Sequence, residues 1–441
     1  MSAIKPKPTQ RERLVGAMID LCASVGYQNV SVAEVSSRAG VSSATFYEQF
    51  DGKEDCLLAA FQTARGRVFR HLEPQDPEQT WEQAARMALQ GLFRGLQADP
   101  GAGRLLFVEA LGGGERMREA RELALDEQEQ RVEGFLLSRP KGTETLDIPV
   151  VALEGARRYI VSRHLRAHSE DLLSSRVDDI VAWMSCYAVP AGKELWSTGP
   201  SALLAPTPPQ ATTNAGDGRP ERLPRGRHGL PPSVVARSQR NRIIAGTAEI
   251  IAAKGYANAT VADIVAAAGV SRDVFYEHFT DKQNAFLEAQ QFATQAILNT
   301  CAAAYFSASE WPERIWRALH ALLKLIAEHP AIAYVRLVES YAVGEVAVRS
   351  IEEFVRAATI FLEEGFNYRP ENQALPRIST HAISGAVLEV VARHVARGEN
   401  AELVRQLPQL TYIALAPFMG TEQAIQAVAQ SSAAHPALAA E

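Results

Sequence analysis

Tyr47 and Lys53 stand six residues apart in this 441-residue chain, and Tyr276 and Lys282 repeat the pair 229 residues later. A phenol donates a hydrogen bond to a phosphate oxygen, and an ammonium beside the free N–H groups of a helix start attracts an anion. The residues around each pair recur without a slip in spacing. Gly26-Tyr27, Ala39-Gly40-Val41-Ser42, Phe46-Tyr47-Glu48 and Phe50 return as Gly255-Tyr256, Ala268-Gly269-Val270-Ser271, Phe275-Tyr276-Glu277 and Phe279. Chemistry suited to a polyanion is thus carried twice on one polypeptide.

Each copy needs three short helices and the start of a fourth to hold these groups. Leu14, Met18, Leu21, Cys22 and Val25 share one helical face, and Gly26 suits the left-handed position that ends it. Ser31 then opens a second helix as N-cap, with Glu34 completing a capping box, and Thr260 with Asp263 repeats the device. Gly40 and Gly269 sit where a tight turn between helices needs a positive φ. Ser42 and Ser271 cap the third helix. A fourth helix is expected from Asp51, boxed with Glu54, and from Thr280 with Gln283. Phe46 and Phe50, like Phe275 and Phe279, fall at i, i+4 and anchor the third helix to its own small core. Residues 42–49 and 271–278 then read as recognition helices, whose first turn enters the major groove of duplex DNA.

The run from Gly26 to Lys53, and again from Gly255 to Lys282, resembles the signature of the TetR family of bacterial transcriptional regulators. The resemblance implies an all-α fold of two tandem units. Each unit would hold a three-helix helix-turn-helix DNA-binding domain and a helical regulatory domain that binds a small-molecule effector and dimerises. It also implies a ligand-responsive repressor without cofactor or metal. By the family's pattern the groove- and phosphate-facing positions fall on Ser31, Ser42, Ser43, Ala44, Thr45, Tyr47, Gln49 and Lys53. In the second head they fall on Thr260, Ser271, Arg272, Asp273, Val274, Tyr276, His278 and Lys282. Gln49 departs from the usual His or Tyr and weakens one phosphate contact. Asp273 brings a carboxylate to the groove, where it either accepts from cytosine N4 or pairs with Arg272. These departures favour a competing reading, a protein-interaction adaptor with one or both heads impaired.

The expected domains are a first head at 9–55, a helical regulatory domain at 56–197, a linker at 198–236, a second head at 237–284 and a second regulatory domain at 285–430. The linker is rich in Pro, Gly and Arg and lacks an apolar period. Its Pro224-Arg225-Gly226-Arg227 resembles an AT-hook for a narrow minor groove, the alternative being a plain basic linker. An architectural DNA binder dominated by that hook is a further reading. Lys5 and Lys7 form a comparable arm before the first head. The second halves repeat faintly: Val108-Glu109 with Val338-Glu339, Arg163-His164 with Arg393-His394, and Val189-Pro190 with Ala416-Pro417. Amphipathic helices are expected over 78–96, 115–137, 153–166 and 176–189 in the first unit. In the second they are expected over 312–328, 332–341, 346–364, 381–397 and 401–416.

The net charge of −6 conceals a division. Residues 1–70 carry +2 and residues 219–290 carry +3, so the remainder holds −11. Local charge governs contact with nucleic acid, and the positive charge sits on the repeats. The four cysteines, Cys22, Cys56, Cys186 and Cys301, are far apart and unpaired by any zinc spacing, as in a reducing cytosol. No secretory signal or membrane-spanning run is read, so a cytoplasmic protein is expected. No P-loop, G-x-S-x-G elbow, HExxH motif or dinucleotide fingerprint occurs, and an enzyme is not expected. Effector contacts are expected among Glu109, Tyr159, Arg163, His320, Tyr334, Arg336 and Glu339, polar residues on otherwise apolar helices. A linker of roughly 34 residues reaches about 110 Å when extended. The two units can therefore pair as an intramolecular pseudo-dimer, the alternative being a dimer of chains with four heads.

Overall fold

The structure, a computed structural model, describes residues 7–72, 76, 78–140, 143–191, 193 and 230–435. Lys5, the Pro224-Arg225-Gly226-Arg227 segment and most of the expected linker lie outside these residues. The chain divides into two compact units, residues 1–194 with 376–386, and residues 195–375 with 387–441.

The first unit begins with α1 (Gln10–Val25), α2 (Val32–Ala39), α3 (Ser43–Gln49) and α4 (Lys53–Phe69). It continues with α5 (Trp81–Ala98), α6 (Pro100–Phe107), α7 (Glu115–Leu137), α8 (Val150–Arg166) and α9 (Val177–Ser185). The second unit repeats the opening as α10 (Pro232–Lys254), α11 (Val261–Ala268), α12 (Arg272–His278) and α13 (Lys282–Tyr305). Then follow α14 (Trp311–Glu328), α15 (Pro330–Tyr334), a π-helical turn (Val335–Glu339), α16 (Ser340–Val343), α17 (Glu345–Ala358) and α18 (Ile360–Glu363). The chain ends with α19 (Ile378–Ala396), α20 (Leu407–Met419) and α21 (Thr421–Ala434). The fold is all-α, two units in tandem, each a three-helix head joined to a helical companion.

The capping chemistry explains the short helices. Thr9, Ser31, Thr80 and Thr260 all form reciprocal capping boxes, with Glu12, Glu34, Gln83 and Asp263. Ser42 accepts from the Thr45 N–H and Ser271 from the Val274 N–H, so both recognition helices start where expected. Gly40 and Gly269 take left-handed φ values of 64° and 60° between the second and third helices, which a Cβ would strain. The fourth helix differs. It starts at Lys53 after Gly52, which has no side-chain cap, and Asp281 rather than Thr280 caps its counterpart through the Asn284 N–H.

Three further boundaries depart from the periodicity. Helix α10 begins at Pro232, inside the stretch read as linker, because proline at the first helical position gives up no hydrogen bond. The helix expected over 176–189 stops at Ser185, and Ala188–Pro190 pairs antiparallel with Glu144–Leu146. The segment 401–416 opens as a 3₁₀ turn (Asn400–Gln406), and Pro408 marks the first turn of α20.

Each head closes over its own core. In the first, Leu14, Val35, Phe46, Phe50 and Leu57 are buried. In the second, Ile243, Ile264, Ala268, Phe275 and Phe279 form the matching cluster, with Val274 packed against it. A second cluster joins Ile251 and Phe286 to Val335 and Ala347, which seats that head on its companion. In the first unit α6 plays this part, packing on α1 and α4.

Candidate nucleic-acid interface

The two phenylalanines of each recognition helix fix its roll. Phe46 and Phe275 are fully buried, and the i, i+4 ring pairs lie 5.7 Å apart in both heads. The neighbouring tyrosine must then point away from the core: Tyr47 is 60% exposed and Tyr276 47%. Ser42, Ser43 and Ala44, with Ser271, Arg272 and Asp273, are exposed along the first turn, and so are the caps Ser31 and Thr260. Val274 is half-buried, its side chain shared with the head's core. Thr45 is half-buried and lies 3.0 Å from the Ser42 hydroxyl. Arg272 leans on Tyr276, its guanidinium 3.4 Å from the phenol oxygen and 5.6 Å from the ring centroid. Gln49 and His278 are half-buried at the far end of the helix, where the His278 ring lies 3.5 Å from Gln239 Oε1.

The lysines are engaged inside the protein. Lys53 Nζ donates to the Tyr27 carbonyl at 3.2 Å and sits 4.3 Å over the Tyr27 ring. Lys282 Nζ donates to the Tyr256 carbonyl at 2.6 Å and the Ala259 carbonyl at 2.8 Å, again 4.3 Å over a tyrosine ring. Burial holds both ammonium groups below the ordinary lysine value. Each lysine thereby braces the Gly-Tyr turn of its own head.

The same turn is gripped from the other side. Tyr27 N–H donates to Glu109 Oε2 at 2.9 Å, and Tyr256 N–H donates to Glu339 Oε2 at 2.7 Å. Glu109 opens a 3₁₀ turn after α6, and Glu339 closes the π-helical turn, so a carboxylate from each companion domain holds its head. The glutamates of the repeated Val-Glu pairs therefore lie at the seam between head and companion. Sequence reading also passed over Arg11, which donates to the Gln49 carbonyl at 2.6 Å and lies over the Phe50 ring. Arg13 reaches the Gly40 carbonyl at 3.5 Å, and Arg242 reaches the carbonyls of Ala268 and Gly269. Arg11 and Arg13 recur at the common offset as Arg240 and Arg242, a signal visible in the repeat.

A cavity of about 100 Å³ opens in the first companion domain between α4, α5, α7, α8 and α9. None of the seven expected effector residues lines it. Tyr159 is buried and Arg163 exposed on α8, and Tyr334 is half-buried. His320 stacks on Trp316 with ring centroids 5.6 Å apart. Arg336 is buried against Phe354, its burial pushing the guanidinium down to about 10, with the Gln290 carbonyl at 3.3 Å.

Each unit thus carries a helix-turn-helix head clamped by a carboxylate to a helical companion. Residues 15–60 and 243–289 match the family described as bacterial regulatory proteins, tetR family. The match falls on the two heads, so the DNA-binding head of that family occurs twice in the chain. A fatty acid metabolism regulator protein of Bacillus subtilis (strain 168) is 29% identical over 70 residues, which span 16% of this chain and 36% of that regulator. Among solved structures, the fatty acid degradation regulator FadR from Bacillus halodurans is 22% identical, covering 40% of this chain and 97% of its own, with a TM-score of 0.37. FadR from Bacillus subtilis in complex with stearoyl-CoA is 18% identical over 39% and 96% of the two chains, with a TM-score of 0.34. Among the described residues no helix is long and apolar enough to cross a membrane.

Proposed function

We propose that this chain is a cytoplasmic, non-catalytic, ligand-responsive repressor whose two unlike heads read an asymmetric operator as an intramolecular pseudo-dimer. The observation that carries the reading is a common frame with different readers. Phe46 and Phe275 set the same roll, yet the exposed first turns present Ser43 and Ala44 in one head and Arg272 and Asp273 in the other. A short polar turn and an arginine–aspartate pair favour different base edges: arginine reads guanine and aspartate accepts from cytosine. Tyr47, Tyr276, Lys53 and Lys282 supply phosphate contacts that set register, and Ser31, Ser42, Thr260 and Ser271 flank them. Half-site centres fall about one to one and a half helical turns apart. Control by a metabolite is in keeping with the Bacillus subtilis relative, a fatty acid metabolism regulator.

The test is selection of the full-length chain on a random duplex library, repeated with Arg272→Ala. An asymmetric motif, with only one half-site relaxed by the substitution, is the expected result. A strictly palindromic optimum indifferent to Arg272 would overturn the two-headed reading. No enrichment from folded protein would favour the adaptor.

A further inference from the structure

The two recognition helices are held alike at their starts and differently at their ends. Each has seven residues, so a few bonds at its termini decide how firmly it sits. The last carbonyls of a helix have no partner within it. In the first head Arg11, on α1, supplies one: its guanidinium donates to the Gln49 carbonyl at 2.6 Å and lies 4.2 Å over the Phe50 ring. Gln49 ends α3, so the helix is pinned by the Ser42 cap at one end and by Arg11 at the other. Arg240 holds the same place on α10, 229 residues on, yet it gives its guanidinium to Glu288 on α13 and lies 5.7 Å from the Phe279 ring centroid. The first head has Ala59 at the position of Glu288, and a methyl group cannot draw Arg11 away.

The turn before the recognition helix is tied in both heads, by Arg13 to the Gly40 carbonyl and by Arg242 to those of Ala268 and Gly269. The unlike feature is the far end, where a partly exposed ion pair in the second head replaces a guanidinium–carbonyl bond in the first. A helix of this length spans about 10 Å, so play at its end swings the first turn. Base-edge hydrogen bonds made there weaken steeply with misalignment. We propose that Arg11 is a positioning residue for the first recognition helix, and that Glu288 withholds the same restraint from the second. The first head then meets the groove with its reading turn already fixed, and the second adjusts to its half-site and discriminates less between bases. This rests on the operator reading above and assigns the stricter half-site to the first head.

The experiment measures affinity of the full-length chain for its selected operator and for duplexes with single base changes in either half-site. Discrimination is a ratio of these affinities, so a change in net charge cancels from it. Amide exchange on the free chain reads the restraint without DNA. Arg11→Met keeps an apolar stem over Phe50 and removes the donors. Ala59→Glu leaves Arg11 in place and offers it the second head's carboxylate. Each should cut discrimination in the first half-site about fivefold and speed exchange at the Phe50 amide by a similar factor. The second half-site and the melting temperature should stay as they are, and the double variant should add nothing to either single one. Glu288→Ala should do the converse, sharpening the second half-site as Arg240 turns to the His278 carbonyl. Unchanged discrimination in both first-head variants, equal losses in both half-sites, or a second half-site left unsharpened by Glu288→Ala would each overturn the assignment. So would a loss uniform over all duplexes with a shallower salt dependence, the mark of a phosphate contact. Exchange that follows the substitutions in a chain that enriches no DNA sequence would keep the restraint and remove the operator reading.

Discussion

At the scale of single residues, the two heads separate side chains that build the frame from those left for a partner. Phe46 and Phe275 are core, Lys53 and Lys282 brace a turn, and Tyr47 and Tyr276 are exposed rings that meet the core only edge-on at the neighbouring phenylalanine. Tyr47→Phe removes one hydroxyl from an exposed ring, so thermal stability should not change. Operator affinity should fall by about 1 kcal/mol, roughly fivefold, with the loss confined to the first half-site. A melting curve and a gel-shift titration on the same protein check both halves of that statement. The aromatic spacing made Phe46 and Tyr47 legible, since i, i+4 pairs on a seven-residue helix leave one way to roll it. Glu109 was not legible in the same way. Its partner, the Tyr27 amide, lies 82 residues away, and nothing local marks a carboxylate as a clamp rather than a ligand contact.

At the scale of elements, the Gly-Tyr turn is the joint between head and companion. Tyr27 donates its backbone N–H to Glu109 and accepts from Lys53 at its carbonyl, and Tyr256 is held alike between Glu339 and Lys282. A hydrogen bond to a carboxylate contributes about 1.5–3 kcal/mol. Glu109→Ala should therefore speed amide exchange at Tyr27 by roughly ten- to a hundredfold, the same energy expressed as a local opening constant. Exchange at Tyr256 should stay as it is, and hydrogen-exchange mass spectrometry on both turns distinguishes the two. Helix starts were legible because Thr9, Ser31, Thr80 and Thr260 sit three residues before a side chain that completes the box. Helix ends were less so: the stop at Ser185 depends on Ala188–Pro190 finding a partner strand more than forty residues earlier.

At the scale of the whole molecule, the proposed pseudo-dimer has one chain with two heads reach two half-sites without a second chain. Tethering places the second unit at an effective concentration in the range of millimolar, above what a free second chain supplies. Light scattering of the operator complex should therefore give one chain per duplex, and the apparent stoichiometry should not rise with protein concentration. Two chains on a single asymmetric site would replace this arrangement with the four-headed dimer.

The sequence by itself determined the helical class, the duplication, the two recognition helices and the caps that start them. All of these rest on residues within a few turns of one another, and the 229-residue offset lets each copy check the other. Tertiary structure alone decided that Glu109 and Glu339 clamp the heads, that the lysines fold back on the Gly-Tyr turn, and that a cavity opens between the helices of the first companion domain. Each of these depends on groups brought together from distant parts of the chain. Whether a buried indole N–H meets a carbonyl, as that of Trp311 does, or finds no acceptor among the described residues, as that of Trp81 does, is settled only when the intervening helices pack.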